Sequence, residues 1–171
     1  MARHVLYPQP LTAAAFAPFG QVIEACADAS HRTINEGYAE RYDDLALVDT
    51  SAAGGRPIVS IYRARPRTLP MKLSVVERHR LGSQLFMPLS PQRFLVVVAP
   101  AGAAPRADAL QCFLTHAGQG VNLSPDIWHH PLLALDAGGD YLVVERGTDT
   151  QDCEVHILDQ TEIWLAFKPM R

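Results

Sequence analysis

The chain has 171 residues and a mass of 18.8 kDa, the size of one domain, so residues 1–171 are expected to form a single unit. Apolar residues make up 48 % and charged residues 19 %, enough apolar material for a buried core, which excludes intrinsic disorder as the main state. Fifteen Lys+Arg against eighteen Asp+Glu leave a net charge of −3 with no dense basic stretch, so the chain lacks the electrostatic footprint of a nucleic-acid binder.

In chain order, Leu11 to Ala17 reads as one short helix, with Thr12 as its N-cap and Pro18 and Gly20 marking its end. Residues 26–36 are polar and aperiodic and read as loop. Arg41 to Val48 is a charged turn entering an apolar run, and 51–57, with Gly54 and Gly55, reads as loop. From residue 58 the character is β. Strands are expected over Ile58–Arg63, Leu73–His79, Gln84–Leu89, Arg93–Ala99, Leu110–His116, Ile127–Leu135, Tyr141–Glu145 and Cys153–Leu158, separated by Gly- and Pro-rich turns. Such a series predicts an all-β fold, a barrel or jelly roll, with a short N-terminal helix and few other helical segments. No ten-residue helical pattern alternates with the strands, which disfavours a parallel α/β sheet. Closing the sheet removes its edges and leaves an interior able to hold a small ligand.

The longest apolar run, Phe94 to Ala104, is interrupted by Pro100 and Gly102 and is too short to span a bilayer, so no membrane association is expected. The N-terminus leads to Pro8 and Pro10 rather than to the apolar core of a signal peptide. Cys26, Cys112 and Cys153 are odd in number, widely spaced and without a CxxC pair. They fit a reducing compartment, and a cytoplasmic location is expected.

Two histidine-bearing stretches carry the candidate chemistry. In Glu77-Arg78-His79-Arg80-Leu81-Gly82-Ser83-Gln84, alternation puts Glu77 and His79 on one strand face, and a tight hairpin at Gly82 is expected to bring Gln84 near His79. In Pro125-Asp126-Ile127-Trp128-His129-His130-Pro131, the two histidines point to opposite faces, so one of them can enter a barrel interior. Two imidazoles with an amide or carboxylate oxygen suit a borderline divalent metal, and water or substrate would complete the shell. The bland reading of the same residues is a pair of hydrogen-bonded structural histidines. Glu77 is open between ligand, base and ion-pair partner. Arg63, on a strand otherwise of Ile58, Val59, Ile61 and Tyr62, and Arg41, beside Tyr42 and near Asp44, are candidate carboxylate receptors, because a guanidinium offers two parallel charge-assisted bonds. Tyr42 and Asn122 are candidate orienting partners. No GxGxxG, Walker or GxSxG pattern is present.

Taken together these segments resemble the ureidoglycolate lyase family. The resemblance is carried by Ile34-Asn35-Glu36-Gly37-Tyr38-Ala39-Glu40-Arg41-Tyr42-Asp43-Asp44-Leu45-Ala46-Leu47-Val48, by Ile58 to Pro66, and by the Glu77-to-Leu89 stretch. Gln119-Gly120-Val121-Asn122, Trp128-His129-His130-Pro131-Leu132, Glu145-Arg146-Gly147 and the helix Leu11 to Ala17 with Phe19-Gly20 also fit, from about residue 5 to 158. The resemblance implies a cupin-type barrel, usually a homodimer, in the allantoin branch of purine catabolism. It also implies cleavage of (S)-ureidoglycolate to glyoxylate and urea, with nickel as the metal. The general cupin metal pattern, an HxH pair and a Glu, is altered here: Leu81 stands two positions after His79, and Gln84 stands where the Glu would be. The expected catalytic residues are His79, His129 and Gln84. Arg41, Arg63, Tyr42 and Asn122 are expected to bind substrate, and His79, Gln84 and His129 to hold the metal. The competing readings are another cupin enzyme acting on a small hydroxy or keto acid, and a non-enzymatic cupin that binds a small ligand.

Overall fold

Short runs of β-branched and aromatic residues, broken by Gly and Pro, form seventeen strands in the computed structural model, which describes residues 3–169 apart from 27, 148, 150 and 160. The first are β1 (Arg3–Leu6), β2 (Gln9–Pro10), β3 (Gly20–Ile23), β4 (His31–Ile34), β5 (Ala39–Tyr42) and β6 (Arg56–Ala64). There follow β7 (Met71–Leu73), β8 (Val75–His79), β9 (Gln84–Pro88), β10 (Phe94–Ala99), β11 (Gln111–Leu114) and β12 (Gly120–Leu123). The last are β13 (Trp128–His129), β14 (Leu133–Ala134), β15 (Gly139–Gly147), β16 (Cys153–Ile157) and β17 (Glu162–Leu165). A short α-helix, α1 (Ala13–Phe16), follows Thr12, whose hydroxyl accepts from the Ala15 amide at 3.2 Å, and it buries Phe16 against Phe19 and Phe113. The fold is all-β, as the strand pattern predicts.

The strands make a layered, barrel-like body. The central sheet runs β16-β8-β13-β10-β11-β2, with β14 also pairing β10. On one face it packs against a three-stranded sheet, β1-β17-β7, through Leu73, Val76, Val97, Trp128, Ile163 and Leu165. On the other face it packs against a five-stranded sheet, β3-β12-β9-β15-β6, through Phe86, Phe94, Val98, Phe113, Val121, Tyr141 and Val143. Alternation along β10 feeds both cores: Leu95, Val97 and Ala99 go to the first, Phe94, Val96 and Val98 to the second. A strand buried on both faces is apolar throughout, and β10 is buried at all six positions.

Several elements differ from their sequence-based expectation. The Leu73–His79 run is two strands in different sheets, parting at Ser74. Ile127–Leu135 is also two, because His130 and Pro131 interrupt the ladder and proline has no N–H to donate. Part of the polar stretch 26–36 is strand: His31–Ile34 pairs antiparallel with Ala39–Tyr42 in a separate two-stranded hairpin. The link from His79 to Gln84 is no hairpin. β8 and β9 belong to facing sheets, so the chain turns a corner here and sets His79 and Gln84 across the interior from one another.

Candidate active site

β8 has Val76 and Arg78 on its outward-packing face, Val76 in the first core and Arg78 over the Trp128 ring at 4.3 Å. Alternation therefore turns Glu77 and His79 into the interior. β13 pairs with β8 in a register that sets His129 opposite Glu77 and opposite Val98, whose side chain lies in the interior core. Residues paired across a sheet share a face, so His129 points inward as well. His130 turns away, its Nδ1 2.8 Å from the Pro131 carbonyl oxygen.

The three side chains meet. One ligand atom from each of Glu77, His79 and His129 lies within 4.8 Å of the others, and the two imidazoles stack with centroids 5.5 Å apart. His129 is 2 % exposed. Its Nδ1 is 3.0 Å from the Ile127 carbonyl oxygen, so Nδ1–H donates there and the lone pair resides on Nε2, 3.6 Å from Glu77 Oε1. His79 Nδ1 faces Asp152 Oδ1 at 3.6 Å, which leaves its Nε2 to the interior. Neither Nε2 has a hydrogen-bond partner among the described residues, although both are buried. Two orphaned imidazole nitrogens beside a carboxylate are a donor set that fits a borderline divalent cation. A proton on His129 Nε2, which a bound cation would replace, holds the Glu77 carboxyl below the usual carboxylate range, against the opposing effect of burial.

Facing this cluster from the five-stranded sheet are Gln84 and Phe86 on β9, Glu145 on β15 and Tyr62 on β6. Gln84 Nε2 donates to Glu145 Oε2 at 2.7 Å, and the Tyr62 hydroxyl donates to Glu145 Oε1 at 3.1 Å. Burial, with Glu145 adding to it, pushes the Tyr62 phenol up to about 12. Gln84 Oε1 is buried with no donor among the described residues. These residues, with Glu77, His79, Arg63, Cys153 and Pro131, line an open cavity of about 570 Å³, ample for a small hydroxy acid. The Cys153 thiol lies 3.9 Å from Glu77 Oε2, and burial raises its pKa.

His79 and Gln84 line one cavity, and His129 stands behind its wall, against Glu77 and His79. Arg63 stands at the rim of that space, 83 % exposed, and donates to both carboxylate oxygens of Asp140 at 2.8 and 2.9 Å. Arg41, Tyr42 and Asn122 are not among the walls of this cavity. Arg41 pairs with Asp43 on the separate hairpin, Tyr42 stacks on His31, and Asn122 donates to Gln21 Oε1 and to the Leu47 carbonyl oxygen. Asn122 thereby fastens the segment before Ser51 to the sheet. The sequence alone points to no role for Tyr62, Glu145 or Asp152, and leaves that of Glu77 open. Glu77 carries a legible signal, its i, i+2 spacing to His79; the other three approach only through sheet pairing.

The sequence matches the family described as Ureidoglycolate lyase over residues 3–165. It is 50 % identical to the ureidoglycolate lyase of Burkholderia cepacia over 88 % of this chain and 84 % of that protein. It is 46 % identical to the ureidoglycolate lyase of Burkholderia mallei over 92 % of this chain and 91 % of that protein. It is 44 % identical to that of Azotobacter vinelandii over 96 % of this chain and 99 % of that protein.

Proposed function

The chain belongs to the ureidoglycolate lyase family and is a lyase, and from that premise we propose that it eliminates urea from (S)-ureidoglycolate to give glyoxylate in the cavity between β8 and β9. The observation that carries the site assignment is the convergence of Glu77, His79 and His129, with two buried imidazole nitrogens unpaired and aimed at one point.

Ureidoglycolate is a carbinolamide: one carbon bears a hydroxyl, a carboxylate and a ureido nitrogen. Cleavage moves a proton from the hydroxyl to the departing nitrogen while the carbonyl of glyoxylate forms and the C–N bond breaks. Urea anion is a poor leaving group, so the nitrogen must be protonated as the bond breaks. His79 Nε2 takes the hydroxyl proton and returns it to the nitrogen, because this imidazole lines the cavity with Nε2 free and its other nitrogen turned to Asp152. An imidazole can accept a proton at one ring nitrogen and return it, which suits a group that must both accept and give. Of the three-residue donor set, His79 keeps its Nε2 for the proton, and Glu77 and His129 would hold a divalent cation, for which we propose nickel. When bound it supplies Lewis-acid polarisation of the carbinol oxygen. Gln84 accepts from the ureido group through Oε1, whereas Arg63, on the same face of β6 as Val59 and Ile61 and paired with Asp140, is left to the rim.

We propose also that the protein works as a homodimer. Tyr62 faces the cavity, so Val59 and Ile61, on the opposite face of β6, point outward; they are 67 % and 52 % exposed. An apolar sheet face of this kind suits burial against a second copy. Three free thiols fit a reducing cytoplasm. No helix among the described residues is long and apolar enough to cross a membrane.

Incubation with (S)-ureidoglycolate tests the proposed activity. Urea and glyoxylate should appear in equal amounts. Ammonia in place of urea would mean that the urea moiety is hydrolysed, and would overturn the elimination.

A further inference from the structure

We propose that Glu145 is a positioning residue that fixes the amide of Gln84, so that the cavity offers the substrate's ureido nitrogen an acceptor and never a donor. The inference rests on the ureidoglycolate reading of the site and adds to it the group that decides which end of the substrate Gln84 recognises.

An amide side chain is ambiguous by nature. Its two ends are nearly the same shape, one donating and one accepting, and it can rotate to suit either kind of ligand. At Gln84 the ambiguity is removed. Glu145 lies directly opposite it in the β15–β9 register, and a carboxylate can only accept. The contact at 2.7 Å therefore requires the amide nitrogen, and reversing the amide would press its oxygen against an anion. Glu145 cannot swing away freely, since its other oxygen accepts from the Tyr62 hydroxyl, a phenol held protonated by its surroundings. The strand register, Glu145 and Tyr62 together thus point Gln84 Oε1 to the interior. There it is buried at a residue only 4 % exposed, and no donor among the described residues reaches it.

A buried carbonyl oxygen without a donor is a recognition element waiting for an N–H. Of the two products, urea carries N–H donors, whereas glyoxylate as the free aldehyde released by the reaction carries no donor at all. Orientation of Gln84 should therefore affect binding of the urea half alone. A residue that merely supported the cavity wall would affect both halves.

The test compares the wild type with E145Q in steady-state kinetics, with urea and glyoxylate each used as product inhibitor at millimolar concentration. The substituted amide keeps the shape of Glu145 but can donate as well as accept, so it no longer dictates the orientation of Gln84. The expected result is a rise of about fivefold or more in KM for ureidoglycolate and in the inhibition constant of urea, with the constant for glyoxylate within about twofold of wild type. Tyr62→Phe keeps the ring and releases one oxygen of Glu145. It should give the same selective loss at smaller size, about threefold, and it provides the reading if E145Q does not fold. Equal losses for urea and glyoxylate, or no change for either, would overturn the inference while leaving the lyase assignment intact. A wild type that forms no urea from ureidoglycolate would overturn the assignment, and the inference with it.

Discussion

Asp152 faces the ring nitrogen of His79 that looks away from the cavity, at 3.6 Å, and its other oxygen faces Arg146 Nη1 at 3.6 Å. The carboxylate is 10 % exposed and the guanidinium 1 %, so the two charges are balanced out of reach of water. A carboxylate behind an imidazole favours the tautomer with the proton on Nδ1 and frees Nε2 for chemistry. Asp152→Asn should keep the fold and lower kcat about tenfold or more, because the amide can present either a donor or an acceptor to His79. A kcat unchanged in that variant would remove Asp152 from the account. At this scale the sequence is partly legible. His79, His129 and Gln84 stand out by residue type and by their neighbours, and Glu77 by its spacing from His79. Asp152, Glu145 and Tyr62 lie 73, 66 and 17 positions from His79; only pairing of β16 with β8, and of β15 with β6 and β9, brings their strands to the site. No local pattern announces such a partner.

The element that makes the site is the corner between β8 and β9. Alternation correctly puts Glu77 and His79 on one face, but a Gly-Ser turn between two β-like runs reads as a hairpin, and hairpin and corner share the same turn chemistry. What selects the corner is packing. Arg146 on β15 crosses under the turn, donating to the Ala52 and Ala53 carbonyl oxygens. Gly82 allows this close approach, since a Cβ there would lie 2.5 Å from Arg146 Cβ. Ser83 completes the corner: its amide donates to the Asp49 carbonyl oxygen, and its hydroxyl accepts from the Asp49 amide. Gly82→Ala should therefore destabilise the protein by about 2 kcal/mol, read as a lower midpoint in guanidinium unfolding. It should also reduce activity, because the methyl group must displace either Arg146 or the turn that aligns β9. Unaltered stability would mean that the corner has slack that its packing does not suggest.

Across the whole molecule, the apolar periodicity from residue 58 onward reports the fold class, because each inward residue has to meet a core. The edges are less legible: β1 and β17 are short, pair in parallel over 159 residues of sequence, and carry little alternation of their own. Buried titratable groups also link global stability to acid. Burial holds the His130 pKa below its ordinary value of 6.5, so the unfolded chain takes up that proton first. Stability is then whole above that value and is lost as pH falls from it towards the folded pKa. Glu77, whose folded pKa is also depressed, adds a second loss at lower pH, below its ordinary 4.5. The melting midpoint of His130→Asn should accordingly fall less steeply than that of the wild type as pH drops below 6.5, and equal slopes would contradict a buried neutral His130.

The proposed place of ureidoglycolate cleavage is the Glu77, His79 and His129 cluster. Its most direct test sets wild type beside His129→Asn, which retains an N–H able to donate to the Ile127 carbonyl oxygen, and measures divalent-metal content and release of urea and glyoxylate in the same preparations. The expected result is a fall of about 100-fold or more in kcat/KM with loss of bound metal. A variant within about threefold of wild type, roughly 0.65 kcal/mol of transition-state stabilisation, would contradict it and move the reaction to another part of the molecule.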